Sequence, residues 1–159
     1  MQDLTFRVEG NKFNYRVCGM ILDGGRILAM KDARSPYFYL PGGRVKMGVT
    51  AEAAVVREIR AELGVEARIE RALWLHQSFF TEDVDGLAYH ELCLYFLMDV
   101  SGTELSLRGE CFDGEEEGRG HRFTWLPFER LREEYFYPLF LKEAIFHLPD
   151  GLTLLTTRE

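Results

Sequence analysis

Residues 43–65, GRVKMGVTAEAAVVREIRAELGV, limit what this chain can fold into more than any other stretch. Pro41, Gly42 and Gly43 end any regular element and let the backbone approach other groups closely. Beyond them Thr50 is a plausible helix N-cap, Glu52 suits the first turn and Gly64 the C-terminal stop, which predicts a helix between Thr50 and Gly64. At helical spacing Val56, Ile59 and Leu63 form an apolar stripe with Val55 at its edge, while Glu58 and Glu62 share a neighbouring face. Like charges at i,i+4 weaken an isolated helix by about a few tenths of a kcal/mol. The pair is explained by a cation lying between the carboxylates, or by a solvated face on which Arg57, Arg60 and Glu66 dilute the charge. Taken alone it favours the solvated face, because glutamates are common on exposed helices.

The remaining organisation is that of one domain over residues 1–159, with 47% hydrophobic and 28% charged residues. A net charge of −7 argues against nucleic-acid binding, which needs a clustered basic surface. It leaves room for a phosphate-bearing small molecule, because an acidic site recruits a metal that supplies the positive charge. The N-terminus lacks a signal-peptide pattern, and the longest apolar run, residues 92–98, is far short of a membrane span, so the expected setting is cytoplasmic. Cys18, Cys93 and Cys111 have no metal-like spacing, and the first two read as buried free thiols.

Strands are predicted over residues 15–22 and 26–30, joined by a turn at Asp23-Gly24-Gly25. A long or bulged strand follows over residues 65–78, then a turn at 83–86 and a strand over 89–100 covered on both faces at residues 92–98. Residues 114–120, GEEEGRG, form a solvated loop, residues 122–126 a final strand and residues 138–148 a final helix. Strands with one helix between them and another at the end imply a sheet sandwiched by helices.

Gly43, Arg57, Glu58, Ile59, Glu62, Gly64 and Val65 fall at the spacing of the Nudix hydrolase signature, which the segment resembles over 23 of 159 residues. That pattern is Gly, five residues, Glu, seven residues, Arg-Glu, an aliphatic residue, any residue, Glu-Glu, any residue, Gly and an aliphatic residue. The resemblance implies an α/β fold, a Nudix-type α/β/α sandwich with a mixed β-sheet. It implies Mg²⁺- or Mn²⁺-dependent hydrolysis of a diphosphate linked to another moiety, with a nucleoside diphosphate derivative as substrate. By the same analogy Glu62 is a metal ligand, Glu58 a ligand or the base that orients the attacking water, and the Gly42 carbonyl a further ligand. Arg57 is carried over as the motif arginine.

Two positions depart from the pattern. Val49 stands where the family's first glutamate buttresses the segment through the arginine, so Arg57 needs another partner. Ala61 replaces the first residue of the Glu-Glu pair, ordinarily a metal ligand. One Mg²⁺ often needs only one or two carboxylates plus substrate phosphates, so Glu58 and Glu62 can suffice for one ion. Family members often recruit another acid, for which the candidates are Glu91 and the loop Glu115-Glu116-Glu117. Glu91 is preferred, because a strand holds a side chain more rigidly than a loop does. The alternative is a Nudix-fold binding or regulatory module with little hydrolysis, which Val49 and Ala61 favour and the retained Glu58 and Glu62 oppose.

Other residues read as structural. Trp74, Phe79, Phe80 and Tyr89 suit core or rim before a nucleobase stack. His76 and His90 lack metal-ligand spacing. Residues 136–141, FYPLFL, suit packing, with a homodimer interface as their other use. Arg34, Arg44 and Lys46 lie near the glycine loop, where exposed cations are common.

Overall fold

The computed structural model describes residues 2–159. In chain order its elements are β1 (Thr5–Val8), β2 (Asn11–Met20), β3 (Leu22–Asp23), β4 (Arg26–Lys31), β5 (Gly42–Arg44), α1 (Ala51–Leu63), β6 (Arg68–Thr81), β7 (Ala88–Asp99), β8 (Cys111–Asp113), β9 (Arg122–Pro127), α2 (Leu141–Ala144) and β10 (Thr153–Arg158). They build two sheets. One runs β1-β2-β7-β6-β10 with β5 on β2, and the other runs β3-β4-β9-β8. The larger sheet is mixed: β2 and β7 are parallel, as are β6 and β10, while its other pairings are antiparallel.

Side-chain alternation sorts each strand between two cores. On β4, Leu28 and Met30 enter the core that holds α1, through Val55, Ile59 and Leu63, while Ile27 and Ala29 enter the one that holds Leu141 of α2. Helices thus cover opposite faces of the strand layer, as the sandwich expectation requires. β7 lies between β2 and β6, and its residues Tyr95, Phe96, Leu97 and Met98 are all buried. That explains the unbroken apolar run read from the sequence.

The helix expected after the glycine loop is α1, capped at Thr50, whose hydroxyl accepts from the Ala53 N–H at 3.1 Å, and stopped at Gly64 with φ 70°. Val55 is fully buried and Val56 only partly, so the apolar stripe is rotated slightly towards Val55. The bulges expected in the following strand are register shifts between Ile69 and Arg71 and between Ala72 and Trp74.

Three expectations needed correction. Residues 122–126 belong to β9, but the last strand is β10, parallel to β6. The helix expected over residues 138–148 is the single turn Leu141–Ala144, which has no side-chain cap at Phe140. Phe136 and Leu141 are buried in the second core, as the packing expectation has it, while Leu139 between them is exposed. The third correction is at Gly42 and Gly43, which were expected to end any regular element and instead begin β5. The short strands β1, β5 and β8 had no signal in the sequence reading, because three or four residues are too few to show a period.

Cys18 and Cys93 are buried free thiols with their sulfurs 3.6 Å apart. Trp74 is buried against Tyr95 and Phe140, and Phe80 stacks on Tyr89. No helix among the described residues is long and apolar enough to cross a membrane.

Candidate active site

β5 places two glycines beside β2, with Gly42 opposite Cys18 and Gly43 opposite Val17. Both positions exclude a side chain. A Cβ on Gly42 would lie 2.1 Å from the Val17 carbonyl oxygen, and one on Gly43 would lie 2.7 Å from Cδ of Glu58. The missing side chains let α1 press its acidic face onto the loop. There the Gly42 N–H donates to Oε1 of Glu62 at 3.1 Å, fixing a carboxylate that is only 4% exposed.

Burial pushes the Glu62 carboxyl up to about 9. The neighbouring Glu58 charge adds to that push, and the Gly42 N–H opposes it. Burial also raises Glu58, against the pull of Arg57. Arg57, left without a glutamate at position 49, has turned to its chain neighbour, with Nη2 3.5 Å from Oε1 of Glu58. Val49 instead packs against the core around α1.

The two candidates for an additional acid are placed differently. The loop after β8 is tied to the end of α1 by the Glu115 N–H, which donates to the Glu62 carbonyl, and is closed on itself by the Gly114 N–H, which donates to the His121 carbonyl, both at 2.8 Å. This anchoring satisfies a carbonyl that a helix terminus leaves open, and it brings the Glu116 charge to bear on both Glu58 and Glu62. Glu91 is held by other groups. It accepts from Nδ2 of Asn14 at 3.2 Å and lies 3.9 Å from Nη1 of Arg16. Glu91 sits on a strand and is engaged by Asn14 and Arg16, whereas Glu116 lies on a loop whose tie to α1 is the Glu115 backbone.

Lys46, three residues beyond the loop in sequence, is tied to Asp3 at 2.6 Å, with Arg44 3.8 Å from the same carboxylate. His76 is buried, with Nε2 2.8 Å from the Thr157 hydroxyl, and His90 is edge-on to Phe13. The sequence reading did not single out Asn14, Arg16 or His121. The available signal was polar residues at positions 14 and 16 in a strand otherwise rich in apolar ones.

The donor set is one of hard carboxylate oxygens, which suits Mg²⁺ or Mn²⁺. Glu62, buried beside Glu58 without a cation against it, is the kind of group a divalent ion would neutralise. Among the described residues no three His, Cys, Asp or Glu side chains converge closely enough to hold an ion alone. The residues therefore fit an ion carried by one or two carboxylates, with water and substrate completing its shell.

The NUDIX domain family matches residues 12–145. This chain belongs to the NUDIX family. The NUDIX chain is 35% identical over 102 residues to a protein of Methanocaldococcus jannaschii named ADP-ribose pyrophosphatase, a match covering 62% of this chain and 58% of that one. It spans about half the length of the curated relatives it matches, 58% and 48%. Among solved structures, the MutT protein of Bacillus halodurans superposes with a TM-score of 0.62 at 12% identity, covering 91% and 89% of the two chains. The MutT protein of Methanosarcina mazei gives a TM-score of 0.61 at 18% identity, covering 84% and 91%. At those identities the likeness is one of fold.

Proposed function

We propose that this NUDIX protein is a divalent-metal-dependent pyrophosphohydrolase that cleaves the diphosphate of a nucleoside diphosphate linked to another moiety. The observation that carries the reading is the seating of Glu58 and Glu62 against the Gly42–Gly43 backbone. A pure binding protein has no evident need for two partly or fully buried like charges at that point. The name of the Methanocaldococcus jannaschii relative supports a nucleoside diphosphate sugar as one member of the substrate class.

In this reading Glu62, oriented by the Gly42 N–H, and Glu58 hold a Mg²⁺ or Mn²⁺ ion, with the Gly42 carbonyl beside them. When bound, the ion neutralises the diphosphate oxygens and lowers the pKa of water. Glu58 accepts the proton of the attacking water, and Arg57 keeps that carboxylate aimed. Glu116 supplies the negative charge that Ala61 lacks, reaching the site from the tethered loop. Glu91 is the other candidate for that place, although Asn14 and Arg16 engage it.

A second reading, a ligand-binding module with little turnover, is favoured by Ala61 and by the lack of a three-acid cluster among the described residues. Phosphate release from a panel of nucleoside diphosphate derivatives, with Mg²⁺, Mn²⁺ or EDTA, separates the two. The hydrolase gives metal-dependent turnover that Glu58→Gln reduces by at least about a hundredfold, the usual scale of positioned general-base catalysis. Silence across the panel, with ligand-induced thermal stabilisation, would favour the binding module.

A further inference from the structure

The hydrolase reading gives no task to Arg16, on the strand that pairs with the glycine loop. Arg16 lies on β2, opposite Arg44 of β5 on one side and Cys93 of β7 on the other. Its Cα is therefore about one strand spacing, roughly 5 Å, from Arg44, the residue that follows the Gly42–Gly43 pair, while Gly42 itself lies opposite Cys18. Val17, the next residue, points into the core around α1, while Cys18 points into the opposite core. By alternation Arg16 emerges with Cys18 onto the face away from α1.

Its guanidinium is poorly engaged for a residue so placed. Arg16 makes no side-chain hydrogen bond among the described residues, and its ion pair with Glu91 spans 3.9 Å. By contrast, Arg108 donates three hydrogen bonds and Arg60 two. The Arg16 side chain is 30% exposed, so part of it is open to solvent. Of the other cations near the loop, Arg44 and Lys46 pair with Asp3 and Arg57 with Glu58.

What holds Arg16 is an ordered relay across three strands. The Thr5 hydroxyl donates to Oδ1 of Asn14 at 2.6 Å, and Nδ2 of Asn14 donates to Oε2 of Glu91 at 3.2 Å. The other oxygen of Glu91 faces Arg16. Glu91 is 12% exposed, so its charge is directed at the guanidinium more than at water. At Tyr39 and Glu62 burial is the leading influence, and at both sites the Arg16 charge acts against the resulting upward shift. The geometry that fixes Arg16 is its register between Arg44 of β5 and Cys93 of β7, with Glu91 as its partner.

We propose that Arg16 is the residue that receives phosphate oxygens of the substrate's diphosphate, with Thr5, Asn14 and Glu91 holding its fork in place. The proposal rests on the hydrolase reading for the word substrate, but the binding it describes does not require turnover. A planar five-donor guanidinium with empty N–H groups matches the geometry of a phosphate. Glu91 becomes a positioning residue in this arrangement, acting through Arg16.

Two measurements test the role. In steady-state kinetics with Mg²⁺ and ADP-ribose, Arg16→Gln should raise KM at least tenfold and leave kcat within about threefold. Arg16→Lys should recover part of the loss, since it restores charge without the fork. Binding of α,β-methylene-ADP in EDTA, followed by calorimetry, should fall at least tenfold in Arg16→Gln. The double variant Arg16→Gln/Glu91→Gln removes both charges together, so a change in melting temperature cannot mimic the effect; it should keep the wild-type unfolding transition and still bind poorly. Wild-type affinity in the double variant would overturn the proposal, as would undetectable binding of the analogue to the wild-type protein at millimolar concentration. If no nucleoside diphosphate derivative is turned over but the double variant loses the analogue, the hydrolase reading falls and the assignment of Arg16 stands.

Discussion

Glu62 combines deep burial, one backbone donor and a like-charged neighbour, so its ionised form is costly until a cation arrives. Glu62→Gln keeps the shape and can keep the Gly42 hydrogen bond. Metal-dependent turnover is expected to vanish while the metal-free protein at neutral pH gains about 1–3 kcal/mol in urea unfolding, because folding no longer forces a carboxyl that is ionised in the unfolded chain to take up a proton. Unchanged turnover would remove Glu62 from the site. Position 61 tests the same face from the other direction. Ala61 is exposed one turn from Glu58, so Ala61→Glu restores a carboxylate with no core to disturb. Titration calorimetry should show Mn²⁺ binding about tenfold tighter, and an unaltered Kd would count against this helix face as the metal face.

At the scale of elements, the site depends on how closely α1 and β5 approach, and the two glycines of β5 limit that approach in different ways. The Cβ of an alanine at 42 meets the Val17 backbone, which belongs to the β2–β5 pairing and cannot step aside. At position 43 it meets the end of the Glu58 side chain, which can swing away. Gly42→Ala should therefore lower stability by about 2 kcal/mol or more. Gly43→Ala should cost less than about 1 kcal/mol yet reduce turnover sharply by displacing Glu58. Paired unfolding curves and initial rates would show this; equal effects of both substitutions on stability would contradict it.

At the scale of the whole molecule, the C-terminal strand closes the mixed sheet by running parallel to β6, and His76 lies at that seam, bonded to Thr157. Burial lowers the His76 pKa to about 4 from an ordinary 6.5. The folded chain then binds fewer protons than the unfolded chain between those values. The His76 contribution is complete above about pH 6.5 and is lost as pH falls towards 4, at up to about 1.4 kcal/mol per pH unit. Urea unfolding at pH 7 and pH 5 should show a smaller drop for His76→Gln than for the wild type. Identical drops would mean that the ring is protonated in place without cost.

The sequence by itself determined the helix, its caps, the glycine loop before it and the pair Glu58 and Glu62. All of these are local: they depend on a 3.6-residue period, on capping side chains and on fixed spacing within 23 residues. It also conveyed the double burial of β7, because a strand covered on both faces cannot alternate. Only the tertiary structure decided what lies beside those residues. Arg57 turns to Glu58 because nothing acidic occupies position 49, and Glu91 meets Asn14 across 77 residues of chain. The loop that carries Glu116 lies at the end of α1 because the Glu115 N–H donates to the Glu62 carbonyl. Such contacts are set by strand order and register, which act between segments far apart in the chain and leave no periodic trace in either one.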